Sequence, residues 1–221
     1  MVQWMLHNDV DVDQCRDTGA SGLFMASQEG HTDIVTLLLE RNHDVNVCTN
    51  DNCSPLLQAS QNGHTDIVKL LLERNPDINL CDKDGKSPLL KASTYGHTDI
   101  VNLLLKRNPD VNLYNKNGFS PLIKASLNGH TDIVRLLLER NSYPCDNTPL
   151  GTSCVNNNIS ISNSPSLVQS LMKHKPDVNA QTYDGGNALY FSAFHGNLKI
   201  TKLLLENDAD CDICTYSFKP I

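Results

Sequence analysis

Histidine and aspartate side chains recur at equal spacing along this chain. His31, His64, His97 and His130 are separated by one constant interval, and each is followed by Thr-Asp. Imidazoles and carboxylates bind transition metals and transfer protons, so the pattern raises both kinds of chemistry. However, helical layers pack about 8–10 Å apart, whereas a zinc–nitrogen bond is about 2 Å long. We therefore predict that these residues belong to a repeated turn and form neither a metal site nor a catalytic site.

Cysteines and known motifs indicate no other reactive site. Cys15, Cys48 and Cys81 occupy the same position in successive intervals, so they should lie about one helical layer, 8–10 Å, apart. A disulfide requires Cα atoms within about 7 Å, so we do not expect these cysteines to pair with one another. The only Cys-x-x-Cys pair, Cys211 and Cys214, lacks the second pair of ligands that structural zinc requires. No phosphate-binding glycine loop, nucleophile elbow or zinc-protease motif occurs. We predict no catalytic residue, no cofactor and no metal ion.

The repeating interval, a 33-residue period, dominates the sequence and predicts its architecture. The hexapeptide Gly-His-Thr-Asp-Ile-Val occurs four times, at 30–35, 63–68, 96–101 and 129–134. A fixed period of this length indicates a stack of helical units, in which each unit buries its apolar face on its neighbours. Aromatic residues make up only 5% of the chain, so we expect a core of Leu, Ile, Val and Ala.

Residues 82–114 show the repeating unit in its clearest form. Ser87 is a favourable N-cap, and Pro88 suits the first position of a helix that ends near Gly96. Thr98 and the carboxylate that follows it open a second helix. Asn108 comes after that helix and tolerates the left-handed C-cap conformation. Helices this short are marginal alone, so packing between units must stabilise them.

These residues resemble the ankyrin repeat. The resemblance rests on Ser87-Pro-Leu-Leu-Lys-Ala-Ser93, Gly96-His97 and Asp110-Val-Asn112. That family carries Thr-Pro-Leu-His-x-Ala at its first helix, whereas this chain has an aliphatic residue at the histidine position: Leu57, Leu90 or Ile123. We expect apolar packing to replace the usual local hydrogen bond there. The resemblance implies an all-α fold, an ankyrin-repeat α-solenoid of helix–turn–helix units with hairpin tips.

The period divides nearly the whole chain into repeats. We assign a partial repeat with only a second helix, four regular repeats, a divergent repeat, a further repeat and the start of another: 1–15, 16–48, 49–81, 82–114, 115–147, 148–180, 181–213 and 214–221. The divergent repeat has a shortened hairpin and a polar loop at 156–165, whose role the sequence leaves open. Both ends fall inside repeats, so we expect the chain to be part of a longer array.

Charge and hydropathy exclude several classes of partner. The formal charge is −7, which argues against binding to nucleic acid or to an anionic membrane. The positive charge is concentrated in the middle, since residues 82–180 carry +3. No apolar run approaches the roughly 20 residues of a membrane span, and the N-terminus lacks the features of a signal peptide. We expect an intracellular protein, cytoplasmic or nuclear, that is a monomer by default.

The ankyrin resemblance implies that hairpin tips and first helices hold a protein partner on the concave side. Two candidate patches lie on these elements. The first combines lysines with two aromatic residues and suits an acidic, partly extended segment: Lys83, Lys86, Lys91, Tyr95, Lys116, Phe119 and Lys124. The second is aromatic: Tyr183, Phe191, Phe194 and His195. The sequence leaves open whether the second patch binds a partner or is buried against a further repeat.

These observations favour a non-enzymatic scaffold that binds a partner protein on the concave face. The alternative is a recognition or regulatory arm of a larger signalling protein, such as a kinase, a death-fold protein or a channel, because ankyrin arrays are commonly fused to these. A purely structural spacer is a third hypothesis. An enzyme within these residues would require motifs that the sequence lacks.

Overall fold

The computed structural model of the protein describes residues 17–41, 44–139 and 175–213. These ranges contain ten helices of seven to nine residues and no strand beyond an isolated bridge between Gln181 and Asn187. Each unit supplies two helices. The first helices are α1 (Gly22–Glu29), α3 (Pro55–Asn62), α5 (Pro88–Tyr95), α7 (Pro121–Leu127) and α9 (Ala188–Phe194). The second helices are α2 (Thr32–Leu39), α4 (Thr65–Glu73), α6 (Thr98–Leu105), α8 (Thr131–Glu139) and α10 (Leu198–Glu206). The predicted all-α solenoid is confirmed.

The predicted helix boundaries are confirmed in residues 82–114. The Ser87 hydroxyl accepts a hydrogen bond from the Leu90 N–H at 3.2 Å, and Pro88 occupies the first helical position. Helix α5 ends at Gly96, whose φ of 80° is left-handed. Asn108 follows α6 with a φ of 54°. Equivalent side chains cap the other first helices, namely Ser21, Ser54, Ser120 and Asn187.

The core lies between successive units. First helices pack on first helices and second helices on second helices, and each unit also packs its own two helices together. The aliphatic residues at the family's histidine position, Leu57, Leu90 and Ile123, are each at most 1% exposed. Apolar packing therefore replaces the missing local hydrogen bond, as predicted.

The recurring Gly-His pair links each unit to the one before it. His64 Nε2 lies 3.0 Å from the Gln28 carbonyl oxygen, and His97 Nε2 lies 3.0 Å from that of Gln61. A carbonyl oxygen only accepts, so Nε2 carries the proton in each case. A Cβ at Gly30 would lie 2.6 Å from the His64 ring, so glycine is required where the ring crosses the preceding turn. The histidine ladder is thus a set of hydrogen bonds between units.

A second ladder of asparagine side chains shows which units are neighbours. The Asn46 side-chain oxygen accepts a hydrogen bond from the Asp77 N–H at 2.8 Å, and Asn79 binds the Asp110 N–H at 2.9 Å. The next step joins Asn112 to the N–H of Asp177, at 2.8 Å. This step spans 65 residues where the earlier one spans 31. Asp177 therefore occupies the place in the stack that follows α8, as Asp110 follows α6.

The unit formed by α9 and α10 packs directly on the unit formed by α7 and α8. The Tyr183 N–H donates to the Asn117 carbonyl at 3.3 Å, which repeats the link between Lys116 and Asp84 at 2.8 Å. The predicted divergent repeat at 148–180 lies mostly outside the described residues, and its own fold stays a prediction. Among the described residues, α9 and α10 contact α7 and α8 directly.

The sequence on the two sides of this junction resembles an earlier connection between units. Glu139-Arg140-Asn141 followed by Pro176-Asp177-Val178-Asn179 would reproduce the connection Glu73-Arg74-Asn75-Pro76-Asp77-Ile78-Asn79 almost residue for residue. In the sequence, residues 142–175 therefore stand between the two halves of this connection. The predicted partial repeats at 1–15 and 214–221 and the polar loop at 156–165 lie outside the described residues and stay predictions.

Replacing Leu104 by Ala tests the stacked core. Leu104 is fully buried on α6, so we expect the free energy of unfolding to fall by about 2–5 kcal/mol. The loss should extend to neighbouring units, because stability is shared across interfaces. Urea unfolding followed by circular dichroism measures it, with the exposed Asn102→Ala on the same helix as control. An equal midpoint for both variants would contradict the stack.

Contact between two phenylalanines tests the direct packing of α9 on α7. The Phe119 and Phe191 ring centroids lie 5.9 Å apart, so a phenylalanine-labelled sample should show a nuclear Overhauser effect between the rings. An interposed repeat would separate them by two layers, roughly 16–20 Å, and would abolish that signal. The Tyr190–Phe191 contact at 5.2 Å within α9 is the internal control. Its presence without a Phe119–Phe191 signal would restore the repeat at 148–180 to the stack.

Candidate partner-binding surface

Three of the predicted lysines lie at hairpin tips and pair with aspartates of this chain. Lys83 Nζ is 3.4 Å from an Asp51 carboxylate oxygen, and Lys86 and Lys116 lie 2.8 and 3.6 Å from Asp84. The hydrogen bond from Lys86 lowers the pKa of the Asp84 carboxyl and raises that of Lys86. Such exposed pairs contribute about 0–1 kcal/mol each. They do offset the charge that the sequence assigned to this patch.

The Lys91 side chain is mostly buried and contacts other residues of the stack. It is only 13% exposed, and Nζ lies 3.6 Å from Asp82 Oδ2 and 2.5 Å from Gln61 Oε1. Asp82 lies in the hairpin of the same unit, and Gln61 lies in the first helix of the unit before. The expected contact between Lys91 and a partner protein would require breaking this pair, so its position favours a structural role.

Lys124 has different surroundings. Its Nζ lies 3.8 Å from the centroid of the Phe119 ring, a cation–π contact. Burial lowers the pKa of the Lys124 ammonium, and the positive charge of Lys86 lowers it further. Lys124 therefore joins the lysines of one predicted patch to aromatic residues.

Four aromatic side chains form a continuous row that begins beside Lys124. Phe119 contacts Phe191, Phe191 contacts Tyr190 edge to face, and Tyr190 contacts Phe194, at centroid distances of 5.9, 5.2 and 6.1 Å. His195 packs edge to face on Phe194 at 5.1 Å. We call Phe119, Phe191, Tyr190 and Phe194 the aromatic row. The two patches predicted separately thus meet, because α9 packs directly on α7.

Tyr190 is the member of the row that the sequence analysis missed. It occupies the position of Leu90 and Ile123, which are buried by the following unit. Tyr190 is 37% exposed and Phe194 is 72% exposed, since no further unit covers α9 among the described residues. The equivalent position of the first described unit holds the buried Phe24, so an aromatic residue there was not by itself a signal of exposure.

The other two predicted aromatic residues lie apart from the row. Tyr95 is exposed at the end of α5 and stacks on His97 at a centroid distance of 6.4 Å. Tyr183 is exposed at the last described hairpin tip, where its N–H binds the preceding hairpin. Neither ring contacts the aromatic row within the described part of the chain.

Reactive groups do not converge elsewhere in residues 17–41, 44–139 and 175–213. No three potential metal ligands come together there. Burial raises the pKa of the Cys48, Cys53 and Cys81 thiols, so these remain protonated and weakly nucleophilic at neutral pH. None of the described helices is both long and apolar enough to cross a membrane.

Comparison with known proteins agrees with this architecture. A family model of ankyrin repeats in three copies matches residues 1–82 and 74–148, and one of ankyrin repeats in many copies matches residues 158–205. The second match begins inside residues 142–175, so part of this segment resembles a repeat in sequence. A search of curated proteins found no match. With matches over most of its length and five stacked helix pairs, the chain belongs to the ankyrin-repeat family.

Proposed function

We propose that this protein is a non-enzymatic recognition module whose partner protein docks on Lys124 and the aromatic row. Ankyrin repeats are generally protein–protein interaction modules. The observation that supports this surface is its continuity, since three successive ring contacts extend from the Lys124 ammonium to the exposed Phe194. The same surface would serve an array that acts alone or one that is the recognition arm of a larger signalling protein.

The composition of the surface supports binding to a protein. Aromatic residues make up only 5% of the chain, yet four of them are contiguous here, and contiguous exposed apolar patches mark interaction sites. Aromatic side chains are also enriched among the residues that contribute most to binding free energy. The half-buried Phe119 and Phe191 would anchor the partner. The more exposed Tyr190 and Phe194 would add contact area beside that anchor.

The framework beneath the surface is pre-organised. Side-chain caps hold α7 and α9 at their first residues, with Ser120 accepting from the Ile123 N–H and Asn187 from the Tyr190 N–H. Backbone bonds link the successive hairpins. Binding therefore requires little change in backbone shape, which limits the entropy lost on association.

Replacing Phe191 by Lys tests this surface. Lysine is native at the equivalent position of the two preceding units, as Lys91 and Lys124, so the helix should accept it. Peptides would be selected on the wild-type protein by display from a random library, and their affinities measured by fluorescence anisotropy. We expect Phe191→Lys to weaken binding by at least about tenfold, as for a central aromatic anchor.

The control variant is Lys69→Gln on the exposed face of the second helix α4, which should leave affinity unchanged. Selected peptides that respond to Lys69→Gln and not to Phe191→Lys would place the binding site elsewhere. A selection that enriches no peptide would contradict the proposed binding surface.

A further inference from the structure

Lys91 and Lys124 form a natural matched pair. They occupy the same position of two successive first helices, α5 and α7, one period of the sequence apart. Lys91 has a carboxylate partner in the hairpin of its own unit, Asp82, and an amide partner in the preceding first helix, Gln61. The period predicts the same two contacts for Lys124.

Both of those partners are replaced around Lys124. Asn115 stands one period after Asp82, and Thr94 stands one period after Gln61. The shorter Thr94 side chain instead donates to the Leu90 carbonyl oxygen at 2.7 Å. Asn115 carries no charge. Compared with Lys91, Lys124 therefore lacks the carboxylate partner in the hairpin of its own unit.

The hairpin itself is unchanged by the replacement. Asp82 Oδ1 accepts hydrogen bonds from the N–H groups of residues 84 and 86, at 3.0 and 2.8 Å. Asn115 Oδ1 accepts from those of residues 117 and 119, at 3.0 and 3.1 Å. Asparagine thus preserves the cap of the hairpin and differs from aspartate in the other terminal atom, an amide nitrogen in place of an oxygen.

No other carboxylate compensates Lys124 among the described residues. Each of the other four lysines of the predicted patch has a carboxylate partner in this part of the chain, namely Lys83, Lys86, Lys91 and Lys116, and Lys86 and Lys116 share Asp84. Lys124 has the Phe119 ring at 3.8 Å, and the nearby charge of Lys86 has the same sign. A half-buried ammonium without a counter-ion is unfavourable, and an arriving anion would relieve that cost.

We propose that Lys124 receives a carboxylate of the bound partner, supplied by a segment whose neighbouring apolar or aromatic side chain packs on Phe119 and Phe191. This inference rests on the proposed function and names the chemistry of its partner. A single ammonium matches a single carboxylate, which is either an Asp or Glu side chain or the C-terminus of the partner chain. Partners without a carboxylate at this point leave Lys124 unpaired and bind more weakly.

Replacing Asn115 by Asp tests the proposal without altering the exposed surface. The new carboxylate should form the internal pair that Asp82 makes with Lys91, while its Oδ1 keeps the hairpin bonds. We expect affinity for the selected acidic peptides to fall by at least about tenfold, in the range of lost charge pairs. Nuclear magnetic resonance titration of the Lys124 side chain should show a higher pKa in this variant, which verifies the new pair independently of binding.

Two matched variants separate this effect from simpler ones. Asn117→Asp adds the same charge to the same hairpin at a position where the preceding units have Asp84 and Asp51, so it measures the long-range effect of one negative charge and should change affinity little. Lys124→Gln removes the cation and introduces the residue native at the equivalent Gln58. It should cause the same loss as Asn115→Asp.

Changes in the peptide complete the test. If a side chain supplies the carboxylate, replacing the acidic residue of the peptide by Gln should weaken binding to the wild-type protein. If the chain end supplies it, amidating the C-terminus of the peptide should weaken that binding instead. Neither change should further weaken binding to the Asn115→Asp variant. Peptides that depend on Phe191 but respond to neither change nor to Asn115→Asp would overturn the inference and leave the proposed function intact. The absence of any Phe191-dependent peptide would overturn both.

Discussion

The structure depends on the interface between successive units. The described helices have seven to nine residues, which is too short for stability in water without tertiary packing. Leu57, Leu90 and Ile123 are buried because the next unit covers them. Hydrogen bonds donated by the histidine rings and accepted by the asparagine side-chain oxygens fix the register between units. Every surface feature of the stack is therefore positioned by contacts that repeat from one unit to the next.

Repetition makes individual differences informative. Two units with the same backbone conformation differ only in their side chains. A side chain can therefore be compared with its equivalent in another unit of the same molecule, and the difference in their contacts is due to the side chains. Asp82 and Asn115 form the same hairpin cap but differ in charge, and that difference separates the buried ion pair of Lys91 from the uncompensated Lys124 in the described part of the chain. Leu90 and Tyr190 occupy the same position, one inside an interface and one on an exposed face.

Most of the fold could be predicted from the period, whereas the shape of the surface could not. The caps at Ser87 and Asn108 follow from local chemistry, and the buried positions follow from repetition. Which units are neighbours does not follow, because the spacing from Gly129 to Gly196, close to two periods, suits an added repeat and an interrupted unit equally well. The contact between Phe119 and Phe191 depends on that choice. Sequence analysis therefore identified three members of the aromatic row without joining them.

The charge that the surface presents depends on which lysines have a carboxylate next to them. The net charge summed over residues 82–180 does not contain this information. Residues 82–180 carry +3, which suggested a broad basic face for an acidic partner. The structure places Asp51, Asp82 and Asp84 beside four of the five lysines of that face, and charges beyond about 8–10 Å are largely screened at physiological salt. On the described surface, a partner at close range therefore meets tip lysines that already have carboxylate partners and, at Lys124, an ammonium without one. Because that ammonium adjoins the aromatic row, charge and apolar contact act on the same short stretch of a partner, which favours selectivity for a particular sequence over general attraction to acidic proteins.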